Sequence, residues 1–329
     1  MEQIRLGTIG SGVIVHSILD NVAVTEGVAL EAVYSRSREK GEALAAQYHA
    51  KKVYTDMEAF LADEQVNVVY IATPNLLHYP QAKQALLAGK HVILEKPFTT
   101  RREEAEELFA IAKERGLLLA EAAPTTFLPN YASLQAAVGK IGDIKLVLSN
   151  YSQYSSRFDK LVAGELPNIF NPEYGGGCLM DINFYNVYLS VALFGLPERA
   201  EYHPNLYKDK YDTSGIMNLY YPGFTAVCAG AKDTWGINDY RIEGTQGHIC
   251  VSGGSNGIAS VQVVTKTEEY TVNLQPNTDR WFYEVQELTK LLLKEDRAAF
   301  AERRDITLHT VSVLEQSRKQ AGIFFPRDV

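Results

Sequence analysis

The chain reads as an α/β protein: a doubly wound parallel sheet first, then a second unit built on a mostly antiparallel sheet. Three observations lead there. Up to about residue 120, short apolar runs alternate with helical patterns, the β-α-β-α rhythm of a parallel sheet covered on both faces. From Arg199 to Leu274 strand-like runs follow one another with short turns and no helix between them, which makes antiparallel pairs. Gly10-Ser11-Gly12 stands at the first strand-to-helix junction, the context of a dinucleotide-binding turn. A length of 329 residues suits two domains, and the change of character sets the expected division at 1–120 and 121–329.

Composition narrows the partners. The net charge of −8 argues against a nucleic-acid polymer or an anionic membrane as the main partner, while a small phosphate-bearing cofactor remains compatible. With 46% hydrophobic and 22% charged residues the balance is that of a globular protein. The three cysteines, Cys178, Cys228 and Cys250, are too scattered for a metal cluster or a disulfide framework. The histidines show no metal-ligand spacing, so no metal is expected. No leader-like run precedes the first strand and no apolar run approaches membrane length. The expectation is a cytoplasmic protein.

In order along the chain, Ile4–Ile9 is an apolar strand. Gly10 permits a tight turn, and Gly12 lets backbone N–H groups approach a pyrophosphate at the start of the next helix. That helix carries Ile14, Ile18 and Val22 on one face, and Val13 and Ile14 begin it beside the expected cofactor. Val15 occupies the third small position, so the G-x-G-x-x-G pattern is incomplete. The second strand, Val28–Tyr34, ends in Ser35-Arg36-Ser37-Arg38. A hydroxyl and a guanidinium here suit a 2′-phosphate better than the acidic residue that marks NAD sites. NADP is therefore favoured, with NAD possible; the two arginines read equally as solvated charges at a helix start.

A helix at Arg38–Tyr48, a strand near Val53 and a small helix after Asp56 lead to the segment Val66–Pro97. Its two apolar runs, Val66–Ala72 and His91–Leu94, flank a helical pattern from Leu77 to Ala88. Such a strand–helix–strand unit brings Thr73, Pro74, Asn75, His78, Glu95 and Lys96 to the carboxyl edge of the sheet, where ligands bind. Thr100-x-x-Glu103 fits a capping box, and Gly116 a helix stop. Leu117–Ala120 closes the first sheet. Beyond it come a helix at Asn130–Val138, a long strand at Asp143–Tyr154, a loop over Ser155–Gly177 and a helix at Leu179–Phe194. Helices at Trp281–Lys294 and Thr307–Ala321 finish the chain.

Lys96 is the leading acid/base candidate. A lysine partly withdrawn from water exchanges protons near neutral pH, and oxidation of an alcohol needs a base for the hydroxyl proton. Asp181 and Tyr185 are four apart, hence on one α-helical face, able to hold a hydroxyl and aid proton transfer. Helix-start charge and core packing explain that pair equally well. His78 reads either as a cofactor contact or as a capping or packing residue.

Taken together these motifs resemble the glucose–fructose oxidoreductase/inositol dehydrogenase (Gfo/Idh/MocA) family over essentially the whole chain. The resemblance is carried by AGKHVILEKP at Ala88–Pro97, IATPNLLH at Ile71–His78, GTIGSG at Gly7–Gly12 and SRS at Ser35–Ser37. GGGCLMDINFY at Gly175–Tyr185 and EGTQG at Glu243–Gly247 add to it. It implies a Rossmann domain, a C-terminal α+β domain with a large open sheet, and NAD(P)-dependent hydride transfer on a sugar, cyclic polyol or dihydrodiol-like substrate. It also implies homo-dimers or homo-tetramers paired through that sheet. Lys96 corresponds to the family's Glu-Lys-Pro lysine, and Asp181 and Tyr185 to its Asp-x-Gly-x-His/Tyr motif. Tyrosine there, with EAAPTTFLPNY at Glu121–Tyr131, is similar to the dihydrodiol/xylose dehydrogenase branch. Three positions depart from the pattern: Val15, Asn183 in place of the motif's glycine, and Thr125-Thr126. A non-catalytic nucleotide-binding sensor of the same fold is the alternative.

Overall fold

A computed structural model describes residues 1–328. They form two compact units: residues 1–123 with 281–308, and residues 124–280 with the chain from His309 onward.

In the first unit β1 (Ile4–Ile9), α1 (Val13–Val22), β2 (Val28–Tyr34), α2 (Arg38–Tyr48), β3 (Lys52–Tyr54) and α3 (Met57–Leu61) make one half. The other half is β4 (Val68–Ile71), α4 (Asn75–Leu87), β5 (His91–Glu95), α5 (Arg102–Glu114) and β6 (Leu119–Ala122). The strands pair in the order β3-β2-β1-β4-β5-β6, every pair parallel. All carboxyl ends therefore share one edge, and the order reverses between β1 and β4, where doubly wound sheets bind ligands. β4 is buried throughout, as a strand covered on both faces must be. Ser37 caps α2 by accepting from the Lys40 N–H (3.4 Å). The capping box expected at Thr100 does not form: Arg101 takes the N-cap position with no side-chain bond, and Glu103 pairs with Arg101. Gly116 does stop α5, at φ +66°.

The second unit contains α6 (Pro129–Val138), β7 (Ile144–Ser152), α7 (Ser156–Val162), a π-helical turn (Leu179–Asn183), α8 (Phe184–Phe194) and the strands β8 (Arg199–Tyr207) to β14 (Glu269–Val272). Between those last two lie β9 (Tyr211–Tyr221), β10 (Phe224–Ala231), β11 (Asp239–Gly244), β12 (Gly247–Ser252) and β13 (Ser260–Thr265). The eight strands run β14-β13-β12-β11-β7-β10-β9-β8, and among the described residues β7–β10 is the single parallel pair of this sheet. β8 was not legible as a strand. It is an edge strand carrying Pro204 and a largely half-exposed pattern, so neither apolar run nor clean alternation announces it. α7 lies inside the expected loop, capped by Ser155. The stretch Pro172–Phe194 is long and apolar enough to cross a bilayer, contrary to the sequence expectation, but 78% of its most apolar window is buried in the protein, as in a core helix.

The last helices are α9 (Arg280–Lys294) and α10 (Arg297–Gln320). α10 begins well before the expected Thr307, with Asp296 accepting from the Ala299 N–H (3.1 Å) as its cap. The single expected division near residue 121 does not describe the chain, because residues 281–308 belong to the first unit. The reason is packing: Val285, Leu288 and Leu292 of α9 face Ile4, Leu6 and Val28 of the first sheet across a shared apolar pocket.

Candidate active site

In the first unit the expected cofactor residues lie along the carboxyl edge of neighbouring strands. Gly10 follows β1 with φ +121°, and a Cβ there would sit 2.5 Å from the Ala72 carbonyl oxygen at the end of β4. Only glycine lets β1 and β4 close at the point where strand order reverses. Gly12 is different. It is the N-cap of α1 at φ −82°, ψ 176°, a conformation open to any residue, and a Cβ there would meet nothing within 4 Å. Above it is open space, facing helix-start amides that no side chain caps and with no acidic residue in the first turn. That cradle fits a pyrophosphate. Val13 is 73% exposed at the start of α1 and Ile14 half-buried. Val15 is fully buried, so the departure from the glycine pattern serves the core.

At the end of β2, Ser35 is buried and its N–H donates to the Tyr54 carbonyl (3.0 Å). Arg36 is exposed. Ser37 is spent capping α2, and Arg38 pairs with Glu42 (3.5 Å). Among these residues Arg36 is thus the cation at the strand end, with no carboxylate beside it in sequence to refuse a 2′-phosphate.

Thr73, Pro74 and Asn75 border the end of β4, all half-buried, and the Thr73 hydroxyl donates to Gln81 Oε1 (2.6 Å). His78 is 1% exposed, and its ring is enclosed by protein. Nε2 lies 2.8 Å from the Thr73 carbonyl oxygen and Nδ1 3.0 Å from that of Pro97. Burial pushes its pKa below the ordinary imidazole value, so the neutral ring donates its single N–H to one of these two carbonyls. His78 therefore ties the loop after β4 to the loop after β5. These contacts are the ones the packing alternative for His78 calls for.

Glu95 ends β5, 7% exposed, and accepts from the Tyr70 hydroxyl (2.6 Å) and from the Lys96 backbone N–H (3.2 Å). Lys96 is half-buried, and the Lys96–Pro97 peptide is cis. Next to it, the Phe98 N–H donates to Glu121 Oε1 (2.9 Å), while the Thr307 hydroxyl donates to Oε2 (2.8 Å). Burial raises the Glu121 carboxyl to about 7. Tyr70, Glu121 and Thr307 thus brace the lysine-bearing loop; long-range partners of this kind leave no spacing signal in sequence.

In the second unit Asp181 sits in the π-helical turn and Tyr185 in α8. The reading that four-residue spacing sets both on one α-helical face presumes α geometry throughout, which the π turn interrupts. Tyr185 is 5% exposed, its ring 5.8 Å from that of Tyr151, with the Arg280 guanidinium 5.6 Å from its centroid. Asp181 accepts from the Lys232 ammonium, forming a partly buried ion pair. Asn183, the departure from the motif's glycine, is fully buried and donates to the Cys228 carbonyl (3.0 Å). Gly230 makes room for it, since a Cβ at 230 would lie 2.6 Å from Asn183 Cβ. Thr125 is likewise internal, donating to the Ser255 carbonyl (3.1 Å), and the Thr126 hydroxyl meets that of Tyr188 (3.2 Å). Among the described residues no group of three or more His, Cys, Asp and Glu side chains could hold a metal.

Residues 4–122 match the oxidoreductase family with an NAD-binding Rossmann fold, GFO_IDH_MocA, and residues 134–250 match a GFO/IDH/MocA C-terminal domain. The scyllo-inositol 2-dehydrogenase (NADP(+)) of Bacillus subtilis is 35% identical, over 99% of both chains. The chain belongs to the Gfo/Idh/MocA family. An uncharacterised oxidoreductase of Escherichia coli, YgjR, is 32% identical over 99% of this chain and 98% of its own. Among solved structures, a 3-ketoreductase from Actinomadura kijaniata, crystallised with NADP and TDP-benzene, superposes with a TM-score of 0.84. It is 24% identical, covers 97% of this chain and 98% of its own, and so speaks for the fold. As a Gfo/Idh/MocA member, this protein is an NAD(P)-dependent oxidoreductase acting on CH–OH groups, and nothing favours the non-catalytic alternative.

Proposed function

We propose that the protein is an NADP-preferring dehydrogenase of a cyclic polyol or related sugar. The observation that carries this reading is the full-length 35% identity to an NADP-dependent scyllo-inositol dehydrogenase. The exposed Arg36 beside Ser35 supports NADP over NAD, and the open cradle above Gly12 supports a pyrophosphate there. Bound NADP supplies the hydride acceptor. As the substrate's C–H bond breaks, its O–H proton must leave while C=O forms. In this reading Lys96 receives that proton and Tyr185 shares in its transfer, while Asp181 accepts a hydrogen bond from a substrate hydroxyl. Thr73, Pro74, Asn75 and Glu95 border the nicotinamide.

Homo-oligomers pairing through the eight-stranded sheet belong to the same proposal, as does a cytoplasmic setting, for which the free cysteines are suited. The test is spectrophotometric. Purified protein with NADP is offered scyllo-inositol, myo-inositol, aldoses and trans-dihydrodiols, and absorbance of the reduced nicotinamide is followed. Turnover of at least one polyol or sugar, faster with NADP than with NAD, is expected. No turnover across the panel refutes the reading.

A further inference from the structure

We infer that Lys232 is a positioning residue: its ammonium holds the Asp181 carboxylate in place as the acceptor for a substrate hydroxyl. The inference rests on the reading of Asp181 given above and adds a residue from outside the motif.

Lys232 directly follows β10, and its side chain is 5% exposed, whereas that of Asp181 is 25% exposed. The pair is therefore lopsided: the cation lies inside and the carboxylate reaches the surface. A carboxylate has more acceptor sites than one ammonium bond uses, so Asp181 can be held from within while receiving a hydroxyl from without. The lysine is fixed at its backbone, whose N–H donates to the Thr213 carbonyl (2.8 Å) and whose carbonyl accepts from the Ser155 N–H (2.9 Å). Its ammonium also stands 5.8 Å from the Phe170 ring centroid, a distance at which cation and ring attract.

The turn bearing Asp181 has other supports. The Leu179 N–H donates to Asp212 Oδ2 (2.8 Å), the Tyr202 hydroxyl donates to Asp212 Oδ1 (2.7 Å), and Asn183 donates to the Cys228 carbonyl. A buried ammonium is an expensive way to brace a turn already held at both ends, since such pairs seldom outperform apolar packing. Its distinctive effect is on charge. The neighbouring acids are Asp212 on β9 and Asp233 beside Lys232, and the buried Cys178 and Tyr202 belong to the same cluster. Lys232 is a cation acting on this cluster, while Arg280 lies over the Tyr185 ring. Removing Lys232 takes a buried cation from beside Asp181 and its acidic neighbours, which costs the carboxylate orientation and ease of ionisation.

The experiment uses the full-length enzyme with NADP and the panel polyol or sugar that wild type turns over. It compares Lys232→Met, Lys232→Arg, Asp181→Asn and the double variant Lys232→Met/Asp181→Asn. Lys232→Met is expected to raise KM and lower kcat/KM about 10- to 100-fold. NADPH affinity should be unchanged. Lys232→Arg should restore most of the loss, and the double variant should match Asp181→Asn alone. An inert wild type, or an Asp181→Asn variant with full activity, overturns the reading of Asp181 and this inference with it. An impaired Asp181→Asn beside a Lys232→Met with wild-type KM and kcat/KM overturns the role of Lys232 alone. If Lys232→Met does not fold, the double variant, which removes both charges, decides: activity below that of Asp181→Asn refutes the inference, and equal activity upholds it.

Discussion

Gly12→Ala separates cofactor binding from folding more cleanly than any other change at the sheet edge. The backbone at 12 is already in a region that alanine adopts, and the new methyl would meet no atom of the protein within 4 Å. Replacing an N-cap glycine by alanine costs up to about 1 kcal/mol, and the stiffer unfolded chain returns about 0.4–1 kcal/mol. The net change in stability is then within about 1 kcal/mol, a shift in Tm of a few degrees at most. The methyl does occupy the space above the α1 amides, where the pyrophosphate is proposed to lie. Loss of one charge-assisted phosphate hydrogen bond costs about 1.5–3 kcal/mol, or about 10- to 150-fold in NADPH Kd. Calorimetric titration with NADPH, beside a thermal melt of the same sample, reads both quantities. Wild-type NADPH affinity at an unchanged Tm would refute the reasoning. Gly10→Ala supplies the contrast: at φ +121° and 2.5 Å from a backbone oxygen, it should lose about 1–3 kcal/mol from backbone strain alone, before any effect on the cofactor.

Other predictions follow from the same geometry. Lys96→Ala should lower kcat about 10²- to 10⁴-fold while leaving NADPH affinity largely intact; full turnover in steady-state assays removes Lys96 from the chemistry. Arg36→Ala should weaken NADPH more than NADH, about tenfold or more for one lost charge-assisted bond, and equal wild-type affinities for the two cofactors would end the claimed preference. Glu121 links stability to pH. Burial lifts its carboxyl from an ordinary 4.5 to about 7, so between those values the folded protein keeps a proton that the unfolded chain has lost. Stability is therefore fully present below about 4.5 and falls as pH rises through about 7, by roughly 3 kcal/mol. Glu121→Gln keeps an oxygen for the Phe98 N–H and removes the titration; denaturant melts at pH 5 and pH 8 should show a smaller loss than wild type, and an identical loss would discount the linkage.

Much of the site was legible because its rules are local. Apolar runs ended by Gly10, Ser35, Thr73 and Glu95 reveal parallel strands, and a parallel sheet has one carboxyl edge, so those residues had to share it. The resemblance then supplied roles for Lys96, Asp181 and Tyr185 that spacing alone left open. What spacing misjudged had a local cause too: Thr100 lies one residue outside the true cap at Arg101.

The sequence by itself determined the alternation of elements, the glycine turn, the ligand edge and the family. Tertiary structure decided the partners. Asp181 meets Lys232 across 51 positions, Thr307 reaches Glu121 across 186, and His78 spends its ring on two backbone carbonyls. It also returned α9 and the start of α10 to the first unit. The physical reason is common to all of these. Periodicity and turn chemistry are set by near neighbours, whereas a buried charge or imidazole must find a partner wherever the fold brings one, and nothing in the linear spacing records which strand ends will meet.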